Sequence, residues 1–325
     1  MENGTDFLPK SEVRRADVKE MEGLWKSGVF TRTTWDDVPA GMRTIRSRMV
    51  RVVKHQGAKS RHVLQDFAKG SPAVGGDLYA ATPSVCAWRF LMAMASAELK
   101  VTPNYLVLAG DVSQAFPHAD IDVPIVTTIP MDLDGLVLTW DNEIWTLVGG
   151  EPVIVGKAQY GYRKSPKLWQ QWLGGRLVRA GLKMSTADPT IYYSDDTKCR
   201  VIFHVDDLLL FGPATEVEAL FQSLQAEMRL REVGRMAQPG DVCPFLNRKM
   251  TRTETGFIVQ GNLRVLDALV ARCGLQMSKY IATPAVAYAP QQIDAATLLS
   301  PAGVTEFRSI TGGVMHVVHD RPDAQ

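Results

Sequence analysis

Asp111 heads the run Asp-Val-Ser-Gln-Ala-Phe116, and about 95 residues later Asp206 and Asp207 stand side by side between the apolar runs Val201–Val205 and Leu208–Phe211. Carboxylates are oxygen donors for hard cations such as Mg²⁺, which are usually held by one or two carboxylates together with substrate phosphates. A lone carboxylate on one strand, facing a carboxylate pair at the tip of a hairpin, can hold two such ions. Two ions close together serve both the attacking and the leaving oxygen of an in-line phosphoryl transfer. Adjacent ionised carboxylates repel, so setting them beside apolar strands is costly unless a cation neutralises them. Taken alone, Asp206-Asp207 also suits a plain two-residue turn, since Asp tolerates turn conformations. Asp111, delivered by a second apolar strand, weighs against that reading.

A second charged feature runs from Arg43 to Lys69: Arg43, Arg46, Arg48, Arg51, Lys54, Lys59, Arg61 and Lys69 face a single acid, Asp66. Such a stripe suits contact with the phosphates of nucleic acid or nucleotide. A solvated basic face fits the same residues. Two rival motifs fail. Gly150-Glu-Pro-Val-Ile-Val-Gly156-Lys157 approaches a phosphate loop but has five intervening residues instead of four, and Ala158 where Ser or Thr is needed. His316 and His319 have helical metal-ligand spacing but no cysteine or further histidine nearby.

The elements that must position these residues follow from apolar spacing. Residues 1–16 are a polar lead-in, and Asp17–Lys26 has a helical stripe of Val18, Met21, Leu24 and Trp25. Ile45–Val53 reads as an exposed basic strand and 70–76 as a loop. Thr82-Pro-Ser84 opens a helix through Cys86, Trp88, Phe90, Leu91, Met94 and Ala95, a Met-rich stretch that suits core packing, and Pro103 ends it. Tyr105–Gly110 is a buried strand that delivers Asp111. Ser165–Leu173 opens a second helix that ends near Gly181. Tyr192-Tyr193, Cys199–Val205 and Leu208–Phe211 are strands. Thr215–Arg231 is a third helix with Val217, Leu220, Phe221, Leu224 and Met228 on one face. Strand, helix, strand, strand, helix is the order of a split βαβ unit.

Composition sets the class. A chain of 325 residues, 46% apolar and 22% charged with net charge +1, has the make-up of a folded protein with a substantial core. No stretch approaches the roughly 18 apolar residues that cross a bilayer, and the start lacks the basic head and apolar core of a secretory signal. Cys86, Cys199, Cys243 and Cys273 lie far apart without a Cys-x-x-Cys, so neither a disulfide framework nor a zinc site is expected, and the chain reads as intracellular.

Six segments in order and spacing resemble the reverse transcriptase of copia-type long-terminal-repeat retrotransposons. Asp111-Val-Ser-Gln-Ala-Phe116 is similar to the family's first motif, and Lys157-Ala-Gln-Tyr-Gly-Tyr-Arg-Lys-Ser-Pro-Lys-Leu-Trp169 to its Lys-Ser-Leu-Tyr-Gly-Leu-Lys-Gln-Ala-Pro-Arg-x-Trp block. His204-Val-Asp-Asp207 resembles the Tyr-Val-Asp-Asp box, and Lys59-Ser-Arg61-His-Val63 the Lys-Ala-Arg-Leu-Val segment. Phe307-Arg-Ser-Ile-Thr-Gly-Gly313 and Arg321-Pro-Asp323 resemble the later pieces.

The resemblance implies an α+β right-hand polymerase: an antiparallel palm sheet, basic fingers that include 120–156, and the start of a thumb. Fingers and palm would span 17–257, with thumb or connection at 258–325. Cys243–Gln260 would form a primer-contacting hairpin and Asn262–Cys273 a thumb helix. Asp111, Asp206 and Asp207 would hold Mg²⁺, or Mn²⁺ in its place. Lys59 and Arg61 would neutralise the triphosphate, though either also suits an ordinary surface. Phe116 would exclude a ribose 2′-hydroxyl, or fill the core. Gly161 would let backbone approach the nucleotide, or serve a turn. The implied activity is RNA-directed DNA polymerisation from dNTPs, with RNA template, primer and nascent DNA as partners, no membrane, and other segments of a retrotransposon polyprotein nearby. The implied setting is cytoplasmic, in a virus-like particle, or nuclear. A catalytically decayed, nucleic-acid-binding remnant of the same fold is the alternative. It draws on two departures from the pattern: His204 where Tyr is usual, and Asn247 in Phe245-Leu-Asn247 where Gly is usual.

Overall fold

A computed structural model describes residues 8–54, 57–67, 78–102, 104–261, 263–279 and 299–318. The loop at 70–76, Lys69, Pro103, His319 and the Arg321-Pro-Asp323 piece lie outside the described residues. The chain divides into two units, Met1–Ser84 with Gly110–Glu232, and Val85–Ala109 with Val233–Gln325.

In the first unit, helix α1 (Lys10–Lys26) buries Met21, Leu24 and Trp25, the stripe expected from spacing. It begins at Lys10, seven residues earlier than the apolar pattern, because Pro9 fixes the entry and Glu12 favours the first turn. The expected lead-in is therefore helical from residue 10 onward. Strands β2 (Ser47–Lys54) and β3 (Gly57–Leu64) pair as an antiparallel hairpin. Along β3, Ser60, His62 and Leu64 are buried while their neighbours are not, which is the two-residue period of a strand with one covered face. Asp17 of α1 fastens this hairpin: its carboxylate accepts from Arg51 Nε and Nη2, each at 3.0 Å, and from Ser60 Oγ at 2.6 Å. Arg51 also pairs with Asp132 at 2.6 Å, and Arg43 with buried Asp66. Part of the basic stripe is thus internal, committed to buried acids instead of phosphate or solvent.

A three-stranded antiparallel sheet places β8 (Pro152–Lys157) between β1 (Phe30–Arg32) and β5 (Asp120–Thr128), and β6 (Val137–Trp140) pairs with β7 (Glu143–Thr146). Trp25 packs edge-on against Trp140 and Trp145 at 5.6 and 5.5 Å, joining α1 to the β6–β7 ribbon.

The sheet that carries the aspartates has the order β13-β4-β12-β11-β10-β9. Here β4 is Tyr105–Val112, β9 Lys183–Met184, β10 Ile191–Tyr193, β11 Arg200–His204, β12 Asp207–Pro213 and β13 Leu230–Met236. The first unit contributes β9 to β12 whole, with Gly110–Val112 of β4 and Leu230–Glu232 of β13. Leu208, Leu209, Leu210 and Phe211 are all buried, as a run with no alternation requires. Helices α3 (Ser165–Arg179) and α4 (Ala214–Glu227) complete the split βαβ order, with β5 to β8 inserted between β4 and α3. The expectation that α4 continues to Arg231 fails. Met228 is extended, and a Cβ on Gly110 would lie only 2.7 Å from Leu230 Cδ1. Packing of Leu230 against Gly110 overrides the helical period. The fold is α+β with the aspartates on an antiparallel sheet, as expected.

In the second unit, α2 (Val85–Glu98) buries Trp88, Leu91, Met92 and Ala95. Cys86 and Phe90, placed inside by the sequence reading, face out because they lie off the 88-91-92-95 face. The segment expected as one hairpin is a three-stranded meander of β14 (Val242–Phe245), β15 (Arg248–Arg252) and β16 (Phe257–Gln260). Its first turn, Leu246-Asn247, has φ of 48° and 61°, the type I′ pattern that favours Asn or Gly. Asn247 therefore meets the backbone demand of that turn. Helices α5 (Leu263–Arg272) and α6 (Pro301–Val318) follow.

The block before α3 is bolted to β3. The Leu64 amide donates to the Tyr160 carbonyl at 2.9 Å, and the Arg163 amide to Asp66 at 3.0 Å. Gly161 has φ +83°, and a Cβ there would run into the Leu64 carbonyl oxygen. Gly161→Ala should cost at least about 1–3 kcal/mol from backbone conformation alone, read as a lowered urea midpoint; an unchanged midpoint contradicts this packing.

His62 is wholly buried, edge-on to Phe30 at 5.3 Å. Burial lowers its pKa to about 4, against the opposing pull of Gln159 and Asp132. The folded chain then binds fewer protons than the unfolded one between about pH 6.5 and 4, so His62 erodes stability as pH falls through that window, by on the order of 3 kcal/mol. Urea unfolding from pH 7 to 4.5 should show a shallower acid-side decline in His62→Asn than in the wild type. Parallel declines would refute the assignment.

Candidate active site

The hairpin tip differs in register from the expected Asp206-Asp207 turn. His204 and Asp207 pair across β11 and β12, so the two turn residues are Val205 and Asp206, and Asp207 is the first residue of the return strand. Strand β4 reaches this tip directly: the Val112 amide donates to the Asp206 carbonyl at 2.8 Å. Asp111 and Asp206, distant in sequence, thereby open onto one cleft of about 1320 Å³. Asp207 lies outside that lining. Its carboxyl is pushed up to about 6, by burial first and then by Asp206 and Asp111. Asp111 also pairs with Arg231 at 3.3 Å. Since the Arg231 side chain is 73% exposed, that pair is a weak tie.

Lys59 and Arg61 of β3 line the same cleft, as do Arg229, Arg231 and Glu20. Arg61 sits over the Tyr160 ring, 4.6 Å from its centroid, and Phe116 meets Tyr160 edge-on at 5.1 Å. Phe116 is only 9% exposed, so Tyr160 is the aromatic that walls the cleft and Phe116 braces it. Gly161 stands behind Tyr160, and the Leu64 backbone explains it without a nucleotide. Of the seven residues singled out from sequence, Lys59, Arg61, Asp111 and Asp206 meet in the cleft, while Asp207, Phe116 and Gly161 are not part of its lining.

Sequence reasoning missed Tyr160, Glu20, Arg229 and Arg231. Tyr160 was within reach, being the residue before Gly161 in the Lys157–Trp169 segment. Glu20 was not, because it is one polar residue of an amphipathic helix. Its carboxyl is pushed up by burial, against the His62 amide, Arg61 and Lys59, which all favour its ionised form. The His62 amide donates to it at 3.3 Å.

The donor set fits a hard divalent cation in chemistry, being carboxylate oxygens; burial first, and then the charges of Asp206 and Asp111, push the neighbouring Asp207 carboxyl up. Among the described residues no three acidic, imidazole or thiol groups form a ready-made cage. Asp111 and Asp206 would supply the protein's share, with substrate phosphates and water completing the shell.

The reverse transcriptase (RNA-dependent DNA polymerase) family matches residues 32–286. No curated protein matches the chain. A foamy viral protease–reverse transcriptase, solved in complex with double-stranded DNA, is similar at 16% identity and a TM-score of 0.46, over 95% of this chain and 41% of that one. The present chain thus spans less than half the length of that protein. With the family match covering most of its length and both aspartate motifs, the chain belongs to the reverse transcriptase (RNA-dependent DNA polymerase) family.

Proposed function

We propose that the chain is the RNA-directed DNA polymerase of a copia-like retrotransposon, adding dNTPs to a primer 3′-hydroxyl on an RNA template. The observation that carries this reading is the convergence of Asp111 and Asp206 with Lys59 and Arg61 on one cleft. In the reaction a bond forms between the primer O3′ and the α-phosphorus, and the bond from that phosphorus to pyrophosphate breaks. Mg²⁺ ions, or Mn²⁺, held by Asp111 and Asp206 would acidify the 3′-hydroxyl and offset charge on the departing pyrophosphate. Lys59 and Arg61 neutralise the triphosphate, Arg61 with a guanidinium already oriented by the Tyr160 face. Arg229 and Arg231 extend the positive wall toward the nucleic-acid backbone. Asp207 keeps the field at the tip negative without lining the cleft. Phe116, through Tyr160, forms the aromatic wall against the sugar and disfavours a 2′-hydroxyl. Other polyprotein segments, and a virus-like particle in the cytoplasm or passage to the nucleus, belong to the same reading.

Primer extension on an RNA template with dNTPs and Mg²⁺ tests it. The wild type should extend, and Asp206→Asn or Asp111→Asn should lose at least about 10²-fold in rate. RNA binding without extension, in either Mg²⁺ or Mn²⁺, would instead identify the decayed remnant.

In the same assay, Phe116→Ala should raise ribonucleotide use relative to dNTP use by about tenfold or more. Unchanged sugar selectivity would remove Phe116 from that role.

A further inference from the structure

The turn that presents Asp206 is held in a conformation its own sequence disfavours. Val205 has φ +54° while Asp206 does not share the positive sign. That is the pattern of a type II′ turn, whose first central position belongs to glycine. A β-branched residue there is strained and persists only when the surroundings impose it.

Two hydrogen bonds from outside the hairpin supply that imposition. The peptide group before Asp206 is caught by helix α3, where Trp169 Nε1 donates to the Val205 carbonyl at 2.7 Å. The peptide group after Asp206 is caught by β4, through the Val112 amide to the Asp206 carbonyl at 2.8 Å. Both peptide planes flanking the Asp206 Cα are therefore fixed, and with them the direction in which its side chain leaves the backbone. The donor is itself closely packed. Trp169 is 1% exposed, stacks on Trp172 at 5.4 Å and 17°, and lies 5.9 Å from the His118 ring.

We propose that Trp169 is a positioning residue for Asp206: its indole N–H locks the Val205 carbonyl, holding the strained turn so that the carboxylate faces Asp111 across the cleft. This rests on the polymerase reading for its effect on rate, but the lock itself is a property of the fold.

The test removes the N–H and keeps the ring. Trp169→Phe retains an aromatic against Trp172, and Trp169→3-benzothienylalanine keeps the bicyclic shape, so at least one folded variant lacking the donor is available. Trp172→Phe is the control, since it alters the same stack without touching the hydrogen bond. Amide hydrogen exchange reads the lock independently of activity: the Val112 N–H should exchange faster in both Trp169 variants and at the wild-type rate in Trp172→Phe.

In primer extension, both Trp169 variants should lose about 10- to 100-fold in kcat. The KM for dNTP should stay within about threefold of the wild type, and more Mg²⁺ should be needed for half-maximal rate. Unchanged exchange at Val112, or an equal loss of kcat in Trp172→Phe, would overturn the proposal. If exchange responds as expected while the wild type fails to extend a primer, the lock stands and the polymerase reading falls.

Discussion

One backbone hydrogen bond, from the Val112 amide to the Asp206 carbonyl, joins the two halves of the candidate site. Asp111 is on β4 and Asp206 on the β11–β12 turn; β4 neighbours β12 in the sheet, and this contact carries that pairing to the tip, where both acids open onto one cleft. Around it the remaining parts fall into place. The β2–β3 hairpin is clamped to α1 by Asp17 and to the block before α3 through Leu64 and Asp66, which fixes where Lys59 and Arg61 stand.

Crowding negative charge at one tip has a cost, and Asp207 bears it. Its carboxyl is held near 6 by burial and by its two acidic neighbours, while Arg231 offsets Asp111 only through an exposed pair. A tip whose charge is left incompletely balanced by the protein is suited to receive a cation. Glu20 lines the same cleft as Lys59 and Arg61, so the side chains that suit a triphosphate have a half-buried acid beside them.

Much of this was legible in the sequence. The apolar runs at 105–110 and 208–211 marked buried strands because they are short, uninterrupted and bounded by polar or turn residues, and the acids beside them stood out against that apolar setting. What escaped was imposed from a distance. The turn falls at Val205-Asp206, against the local preference of Val, because Trp169 and Val112 hold it there. Met228 continues a helical period, yet the chain turns extended where Leu230 packs on Gly110. Glu20 and Arg231 reach the cleft only through tertiary packing, and nothing in their immediate neighbours distinguishes them from solvated charge. Asn247 ran the other way: a departure in sequence that its left-handed turn accommodates.

The central claim is that Asp111 and Asp206 act on the same cations. Mn²⁺ binding, followed by electron paramagnetic resonance with template and primer present, measures this directly in the wild type, Asp111→Asn, Asp206→Asn and the double variant. Shared ligation predicts strong coupling, with either single change removing most of the affinity and the second adding little. Independent, additive losses would show that the two carboxylates serve different sites, and would contradict the account.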